Sequence, residues 1–220
     1  RRAVFAAHRI NGGKQVVVGF HGKRSHHIIG IRDCAVLTPG LLALVPRLSQ
    51  LAAIAAPTKD ALTITATETL TGFDIALTGA PKTLSADDRA RLVQAAGALG
   101  LARLSINGAL EMERVPPQLR VGNADVRPAP GGFLQATRDS EAAMLALVQQ
   151  AVGDARRVVD LFSGAGTFSL PLASTATVHA VESDEAALAS LQLMARKASG
   201  LKPATTEKRD LFRRPLVRAE

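Results

Sequence analysis

The sequence predicts an α/β protein with an α+β domain over residues 1–125 and the first part of a parallel, Rossmann-like sheet over residues 126–220. Short alternating runs and two amphipathic helices fill the first part, whereas helix and strand alternate strictly from residue 139 on. Proline and glycine crowd the junction at residues 127–132. Strict alternation of helix and strand is typical of a parallel sheet.

Three runs with strand-like composition open the first part, and Asn11-Gly12-Gly13 separates the first two. Such a dipeptide favours a hairpin, because its turn requires positive φ. We therefore predict a three-stranded meander from residues 3–10, 14–20 and 26–32. The meander is followed by a helix that begins at Thr38-Pro39, strands within residues 61–78, a helix capped by Ser85 and ended by Gly100, and a strand over residues 101–106.

The second part opens with a helix that carries Met144, Leu147 and Val148 on one face. Three strands are predicted after it, over residues 157–162, 177–181 and 204–208, with a helix from Ser183 between the last two. We expect these strands to begin a larger parallel sheet.

Positive charge is concentrated at the front of the chain. The net charge is +8 and the pI about 10.5, and residues 1–33 hold seven Lys and Arg residues, four of the five histidines and one acid. Such a segment predicts a polyanionic partner, a nucleic acid, with Lys23 and Arg24 as candidate contacts. A solvated basic face of a small sheet is the alternative. Aromatic residues are 3%, without Trp or Tyr, which argues against a single-strand stacking platform.

Composition also bounds the setting of the protein. The hydrophobic fraction of 47% excludes a disordered chain, and no apolar run approaches the roughly 20 residues of a membrane span. One cysteine cannot form an internal disulfide. We expect a cytoplasmic protein with no membrane association and no obligate protein partner.

The strongest motif is an apolar strand that ends in Asp160 and leads into a turn with Gly164 and Gly166. Glycine lets the backbone turn tightly and approach a ligand closely. Glu182 ends the next strand, where an acid can accept hydrogen bonds from both ribose hydroxyls of a nucleoside. Asp210 follows the third strand and is expected to face an adenine edge; an exposed loop acid is the alternative there.

This spacing separates two nucleotide-binding classes. The dinucleotide fingerprint requires a third glycine where this chain has Ser169. Asp-x-x-x-Gly-x-Gly fits the class I S-adenosylmethionine fold better. A chance match in a structural turn is the alternative.

Two segments resemble one family. Residues 160–173, Asp-Leu-Phe-Ser-Gly-Ala-Gly-Thr-Phe-Ser-Leu-Pro-Leu-Ala, resemble the cofactor motif of the RNA 5-methyluridine methyltransferases, which act on tRNA or 23S rRNA. Residues 132–137 are similar to that family's Phe-x-Gln-x-Asn motif, with Thr137 where Asn is usual. The resemblance implies that Phe133 and Gln135 lie beside the target base and the methyl donor. It also implies a cofactor site formed by Gln135, Asp160, Phe162, Gly164, Gly166, Glu182 and Asp210.

A third segment resembles the same family more loosely. Residues 32–39, Arg-Asp-Cys-Ala-Val-Leu-Thr-Pro, are similar to the region of the last of four cysteines that hold a 4Fe–4S cluster in many members. The resemblance implies that Cys34 is the fourth ligand in an intact parent. The alternative is a buried small hydrophobe, since free cysteines usually behave so. One thiolate cannot hold such a cluster alone.

The resemblance implies covalent catalysis. A cysteine thiolate adds to C6 of uracil, C5 takes the methyl group, and a general base removes the C5 proton. In the family the nucleophilic cysteine and the glutamate base follow the cofactor motif. We therefore expect this chain to be a piece of a longer enzyme, without catalytic residues and inactive alone. Two alternatives remain: a class I methyltransferase for a base amino group or a small molecule, and a non-catalytic RNA-binding module.

Overall fold

The computed structural model describes residues 1–121 and 124–217, in two compact units, Arg1–Pro117 and Gln118–Glu220. This division precedes the boundary expected at residue 125, because the hairpin that begins at Leu119 belongs to the second unit. Among the described residues, no helix has both the length and the apolar character that crossing a bilayer requires.

A seven-stranded sheet forms the first unit. Its strands, in chain order, are β1 (Arg2–Ile10), β2 (Gln15–His21), β3 (Ile28–Gly30), β4 (Leu62–Thr69), β5 (Gly72–Thr78), β6 (Arg103–Ile106) and β7 (Ala109–Glu113). The spatial order is β3-β2-β1-β4-β5-β6-β7, and every pairing is antiparallel except β5 with β6. The predicted meander is confirmed as β1, β2 and β3, and β1 continues it by pairing with β4.

Two helices complete the first unit, α1 (Pro39–Ala55) and α2 (Ala86–Ala98). The helix start predicted at Thr38-Pro39 and the predicted Ser85 cap are confirmed: the Thr38 side chain accepts a hydrogen bond from the Leu41 N–H, and the Ser85 side chain accepts one from the Asp88 N–H. Helix α1 continues through Pro46. The apolar side chains of α1 and α2 are buried in one core with those of the sheet.

The second unit contains a parallel sheet and a hairpin. The parallel strands are β10 (Arg157–Leu161), β11 (Thr177–Glu182) and β12 (Ala204–Lys208), in that spatial order. The short strands β8 (Leu119–Val121) and β9 (Ala124–Val126) pair with each other. The helices are α3 (Arg138–Val152), α4 (Ser169–Leu172) and α5 (Glu185–Lys197).

The three predicted parallel strands are confirmed, and their pairing positions the candidate site. Asp160 lies near the carboxyl end of β10 and Glu182 ends β11, so both acids face the edge where α/β proteins bind ligands. Helix α5 begins two residues later than predicted. Asp184 caps it, because its Oδ1 accepts hydrogen bonds from the Ala186 and Ala187 N–H groups.

Candidate functional site

A cavity of about 330 Å³ lies in the second unit, where the turn after β10 faces the start of α5. Ligand pockets usually measure about 300–1,000 Å³, so the cavity has room for a small organic molecule. Its walls come from the β8–β9 hairpin, the loop that follows it, the turn after β10 and one side of α5. The lining includes Pro128, Ala129, Phe133, Gln135, Phe162, Ser163, Gly164, Phe168, Glu182, Asp184, Ser190 and Met194.

The two glycines of the turn have different reasons to be glycine. Gly164 has φ +54°, and a Cβ there would meet nothing within 4 Å, so its open side is accessible to a ligand. Gly166 has φ +90°, and a Cβ there would collide with the side chain of Leu191. Gly166 is therefore required by packing against α5, and it does not line the cavity.

Phe162 precedes this turn and also has positive φ, 59°. A bulky residue in that region is strained, and strain of this kind clusters at functional sites. Its exposed ring lies 5.4 Å from the ring of Phe212, measured between centroids.

Glu182 is held by four donors. Its Oε1 accepts hydrogen bonds from the Ser183 N–H at 2.6 Å, the Ser183 hydroxyl at 3.0 Å and the Asp184 N–H at 3.0 Å, while Oε2 accepts one from the Gly164 N–H at 3.0 Å. Partial burial opposes ionisation, yet these hydrogen bonds together lower the pKa of Glu182. The carboxylate is therefore ionised at neutral pH, and it ties the glycine turn to the start of α5.

Asp160 lies behind the turn and does not line the cavity. Its Oδ2 accepts a hydrogen bond of 2.5 Å from the hydroxyl of Ser169, a fully buried residue at the start of α4. Burial raises the pKa of Asp160; the hydrogen bonds from Ser169 oppose this effect, and the charge of Glu182 adds to it. Its observed contact holds α4, and with it the glycine turn, against β10.

The loop before α3 brings the second predicted motif to the same cavity. Phe133 and Gln135 both line it. Thr137 caps α3, because its hydroxyl oxygen accepts a hydrogen bond from the Ser140 N–H at 3.2 Å. The position at which the chain departs from the family motif thus has a local structural role here.

Asp210, like Asp160 and Gly166, is a predicted cofactor residue that does not line the cavity. Its Oδ1 accepts hydrogen bonds from the Phe212 N–H at 3.0 Å and the Arg213 N–H at 3.2 Å, and Oδ2 lies 3.5 Å from Arg213 Nε. In this arrangement the carboxylate stabilises its own turn.

Several residues of the cavity were not singled out from the sequence, and polar side chains are among them. Asp184 and Ser190 lie on the side of α5, and Ser163 follows Phe162 in the turn. An acid just before a predicted helix is a cap signal, so Asp184 could have been found. Ser163 lies within the motif at residues 160–173, although the motif alone gives it no role. Ser190 has no local signal, because only the folded backbone brings it to the cavity.

The remaining candidates lie in the first unit. Lys23 and Arg24 are exposed at the tight turn between β2 and β3, which the hydrogen bond from the Gly22 N–H to the His27 carbonyl closes at 2.8 Å. Cys34 is half-buried in the loop between β3 and α1. Within residues 1–121 and 124–217, no group of three or more His, Cys, Asp or Glu side chains is arranged to hold a metal ion.

Comparison with known sequences gives several relatives, although no family model matches. A protein of Rhizobium meliloti (strain 1021), named as an uncharacterized RNA methyltransferase, is 44% identical over 221 residues, which cover 100% of this chain and 52% of the relative. The 23S rRNA (uracil(1939)-C(5))-methyltransferase of Pseudomonas putida is 34% identical over 197 residues, or 84% of this chain and 42% of the relative. The chain spans about half the length of the curated relatives it matches.

Among solved structures, the tRNA (uracil-54, C5)-methyltransferase of Pyrococcus abyssi in complex with S-adenosyl-L-homocysteine is similar, with a TM-score of 0.68 and 16% identity. The match covers 94% of this chain and 54% of that one. At this identity the likeness shows a shared fold, and it confirms the predicted fold class.

Proposed function

Because the chain belongs to the family of these RNA methyltransferases, we propose that its protein transfers a methyl group from S-adenosylmethionine to C5 of a uracil in RNA. The observation that carries the proposal is the meeting of two separate family motifs at one cavity. Gln135 comes from the loop before α3 and Gly164 from the turn after β10, and both line it. Nothing in their sequence separation requires this meeting.

The cavity fits S-adenosylmethionine in size and chemistry. Its volume of about 330 Å³ suits a nucleoside with an amino-acid arm, and Phe133, Phe168 and Met194 offer apolar surface. Glu182 is ionised. In this proposal one ribose hydroxyl donates to its Oε2, which otherwise accepts from the Gly164 N–H, and the other takes the place of the Ser183 hydroxyl at Oε1. Once bound, the cofactor supplies the methyl group as an electrophile.

The proposed roles of the other residues follow from their positions. Gly164 allows close approach, Phe162 and Gln135 contact the cofactor, and Phe133 lies beside the target base. Asp160 and Gly166 act by shaping the turn. Asp210 is assigned to the adenine edge only if its side chain leaves the turn that it now stabilises.

Activation of uracil C5 requires groups outside the described cavity. Cys34 is the only cysteine of this chain, and it does not line the cavity. We therefore assign the nucleophile and the base that removes the C5 proton to other parts of the full-length protein. This chain alone is expected to bind cofactor without transferring methyl groups.

RNA is the proposed partner, with Lys23 and Arg24 among its contacts. Cytoplasmic location belongs to the same proposal, as does a 4Fe–4S cluster with Cys34 as one ligand. Iron and sulfide analysis of the anaerobically purified full-length protein tests the cluster, with Cys34→Ser as the variant that should lose it.

Methyl transfer tests the function itself. The full-length protein is incubated with tritiated S-adenosylmethionine and unmodified tRNA or 23S rRNA, and the methylated nucleoside is identified by mass spectrometry. 5-Methyluridine supports the proposal. A methylated base amino group would support the direct-transfer alternative, and RNA binding without transfer would support a non-catalytic module.

The covalent route has a separate test. In RNA that carries 5-fluorouridine, C5 has no proton to lose, so the thiolate adduct should persist after methyl transfer. A protein–RNA complex that survives denaturing gel electrophoresis is expected. If uridine in the same RNA is methylated and fluorouridine RNA forms no stable complex, the covalent route is wrong.

A further inference from the structure

The cavity is acidic in a basic protein. The sequence has a net charge of +8, yet the charged residues that line the cavity are Glu182 and Asp184. No Lys, Arg or His is among its lining in the described part of the chain. A small ligand in this cavity therefore meets two carboxylates and no compensating side-chain cation.

Both carboxylates are fixed by backbone donors. Glu182 accepts from the Gly164, Ser183 and Asp184 N–H groups, which lower its pKa. Asp184 accepts from the Ala186 and Ala187 N–H groups at the start of α5, at 2.9 and 3.2 Å. These contacts keep two negative charges at the cavity wall without requiring a metal ion or a basic side chain there.

A second observation points to a polar ligand at the same wall. Ser163 also lines the cavity and is 7% exposed. Its hydroxyl oxygen is buried and has no hydrogen-bond partner in the described part of the chain. Buried hydroxyls normally have a partner, so this group is suited to one that arrives with a ligand after a small rotation.

The aromatic lining favours the same ligand charge. The rings of Phe133 and Phe162 are exposed, and Phe168, after the glycine turn, also lines the cavity. The face of a phenyl ring attracts a cation, especially an organic one with a weakly held hydration shell. Carboxylates and rings together suit a bulky cation with an apolar body.

We propose that this acidic cavity selects the cationic methyl donor over its neutral product, and that Asp184 is a specificity-determining residue for that choice. The inference rests on the proposed function. S-adenosylmethionine carries a sulfonium and an ammonium group against one carboxylate, for a net charge of +1. After the methyl group leaves, the product thioether is neutral overall, so the attraction that the two acids provide is lost and the product is released more readily.

Asp184→Asn isolates this effect, because asparagine caps a helix about as well as aspartate. Asp184 is exposed at the rim, so solvent weakens its field. For an assumed distance of about 8 Å between the Asp184 carboxylate and the positive charge of the ligand, and an effective dielectric constant of roughly 40–60, loss of the carboxylate charge should weaken binding of the cation about three- to sixfold. Glu185→Gln is the matched control: it removes the same charge one residue away, where the side chain pairs with Lys208 and does not line the cavity.

The experiment is calorimetric titration of the full-length protein and both variants with three ligands at two salt concentrations. The ligands are S-adenosylmethionine, S-adenosylhomocysteine and sinefungin, in which a carbon bearing a protonated amine replaces the methylated sulfur. We expect Asp184→Asn to weaken binding of the two cations three- to sixfold and that of the neutral product less than twofold. Glu185→Gln should leave all three affinities within twofold, and added salt should weaken cation binding of the wild type selectively.

The outcomes separate this inference from the function beneath it. If the wild type binds none of the three ligands, the proposed function fails. If it binds them but Asp184→Asn changes the cations and the neutral product equally, or changes neither, the function stands and the charge selection is wrong. Equal salt dependence of cation and neutral-product binding in the wild type would also contradict the charge selection, without any variant.

Discussion

Two carboxylates near the ends of neighbouring strands have pKa values that move in opposite directions. Burial raises the pKa of Asp160, and backbone N–H donors lower that of Glu182 against the opposing effect of burial. The difference follows from what surrounds each group, since Glu182 receives four hydrogen bonds and Asp160, within the described part of the chain, accepts from Ser169 only. Two carboxylates therefore suit different roles: Glu182 is suited to bind a ligand, and Asp160 is suited to hold the glycine turn in place.

Asp160→Asn should raise the free energy of unfolding more at pH 7 than at pH 4. A carboxyl group whose pKa is raised by folding resists ionisation in the folded state, so its charge costs stability above the ordinary aspartate pKa. Asparagine removes that cost, and its Oδ1 still accepts from the Ser169 hydroxyl. Urea denaturation at both pH values measures the difference, and a larger gain at pH 4 would contradict this account.

Glu182→Ala should weaken binding of S-adenosylmethionine by roughly 1.5–3 kcal/mol, the range for a lost hydrogen bond to a charged group. The variant also removes the acceptor for the Gly164 N–H, so the amide of Gly164 should exchange faster with deuterium. Calorimetry and hydrogen exchange measure the two effects, and Glu185→Ala serves as the control. Unchanged affinity would remove Glu182 from the cofactor site.

At the scale of elements, the parallel pairing of β5 and β6 contains an ion pair. Asp74 and Arg103 are register partners, joined by hydrogen bonds of 2.8 Å and 2.7 Å, and each side chain is 2% exposed. A buried pair is costly to break on one side, because the remaining charge is then isolated from water.

Asp74→Ala should therefore lower the free energy of unfolding by about 3–5 kcal/mol, whereas the double variant Asp74→Leu with Arg103→Met should lower it much less. Denaturant titration measures both. As a control, Asp88→Ala breaks the more exposed pair with Arg91, whose charged atoms lie 3.3 Å apart. It also removes a partner of Ser85 at the start of α2, yet the loss should stay near 1 kcal/mol. A double variant as unstable as Asp74→Ala would contradict the reasoning.

The sequence predicts an element well where a long run of apolar residues repeats at a regular spacing and its charged residues face solvent. The parallel strands β10, β11 and β12 and both helix caps of the first unit could be predicted, because their apolar runs and cap residues are local signals. The three-residue strands β8 and β9 are too short for any periodicity. Asp74 and Arg103 are charged residues in buried strands, and their ion pair across the sheet offsets the cost of burying both charges. The sequence does not show this pairing.

The cavity shows the same limit. The sequence connects residues 132–137 with residues 160–173 only because both resemble motifs of one family. That the two segments line the same cavity follows from the tertiary structure. Ser163 is identified as a lining residue only in the folded turn, whereas Asp184 carries a local cap signal in the sequence. Conversely, Gly166 and Asp160 fit the motif but do not line this cavity, because Gly166 packs on Leu191 and Asp160 accepts a hydrogen bond from Ser169.

At the scale of the whole molecule, charge is distributed unevenly. The first 33 residues hold an excess of six positive charges, and the charged lining of the cavity is acidic. A polyanion is attracted by the first feature, and a small cation by the second. Under the proposed function, one chain with a strong net charge serves both partners because each interaction is short-ranged at physiological salt, where the screening length is about 8 Å.

Salt dependence of RNA binding tests the first of these features. Each phosphate contact releases counterions, so a plot of log affinity against log salt has a slope of roughly −0.7 to −0.9 per contact. Lys23→Gln with Arg24→Gln in the full-length protein should flatten that slope by about 1.4–1.8, because both side chains are exposed at the β2–β3 turn. Lys59→Gln with Lys82→Gln removes the same charge from exposed sites outside residues 1–33 and should change the slope less. Fluorescence anisotropy with unmodified tRNA at several salt concentrations measures both.

Equal slopes for the wild type and the first variant would mean that the turn does not contact phosphate. Equal flattening in both variants would mean that net charge, and not this turn, attracts the RNA.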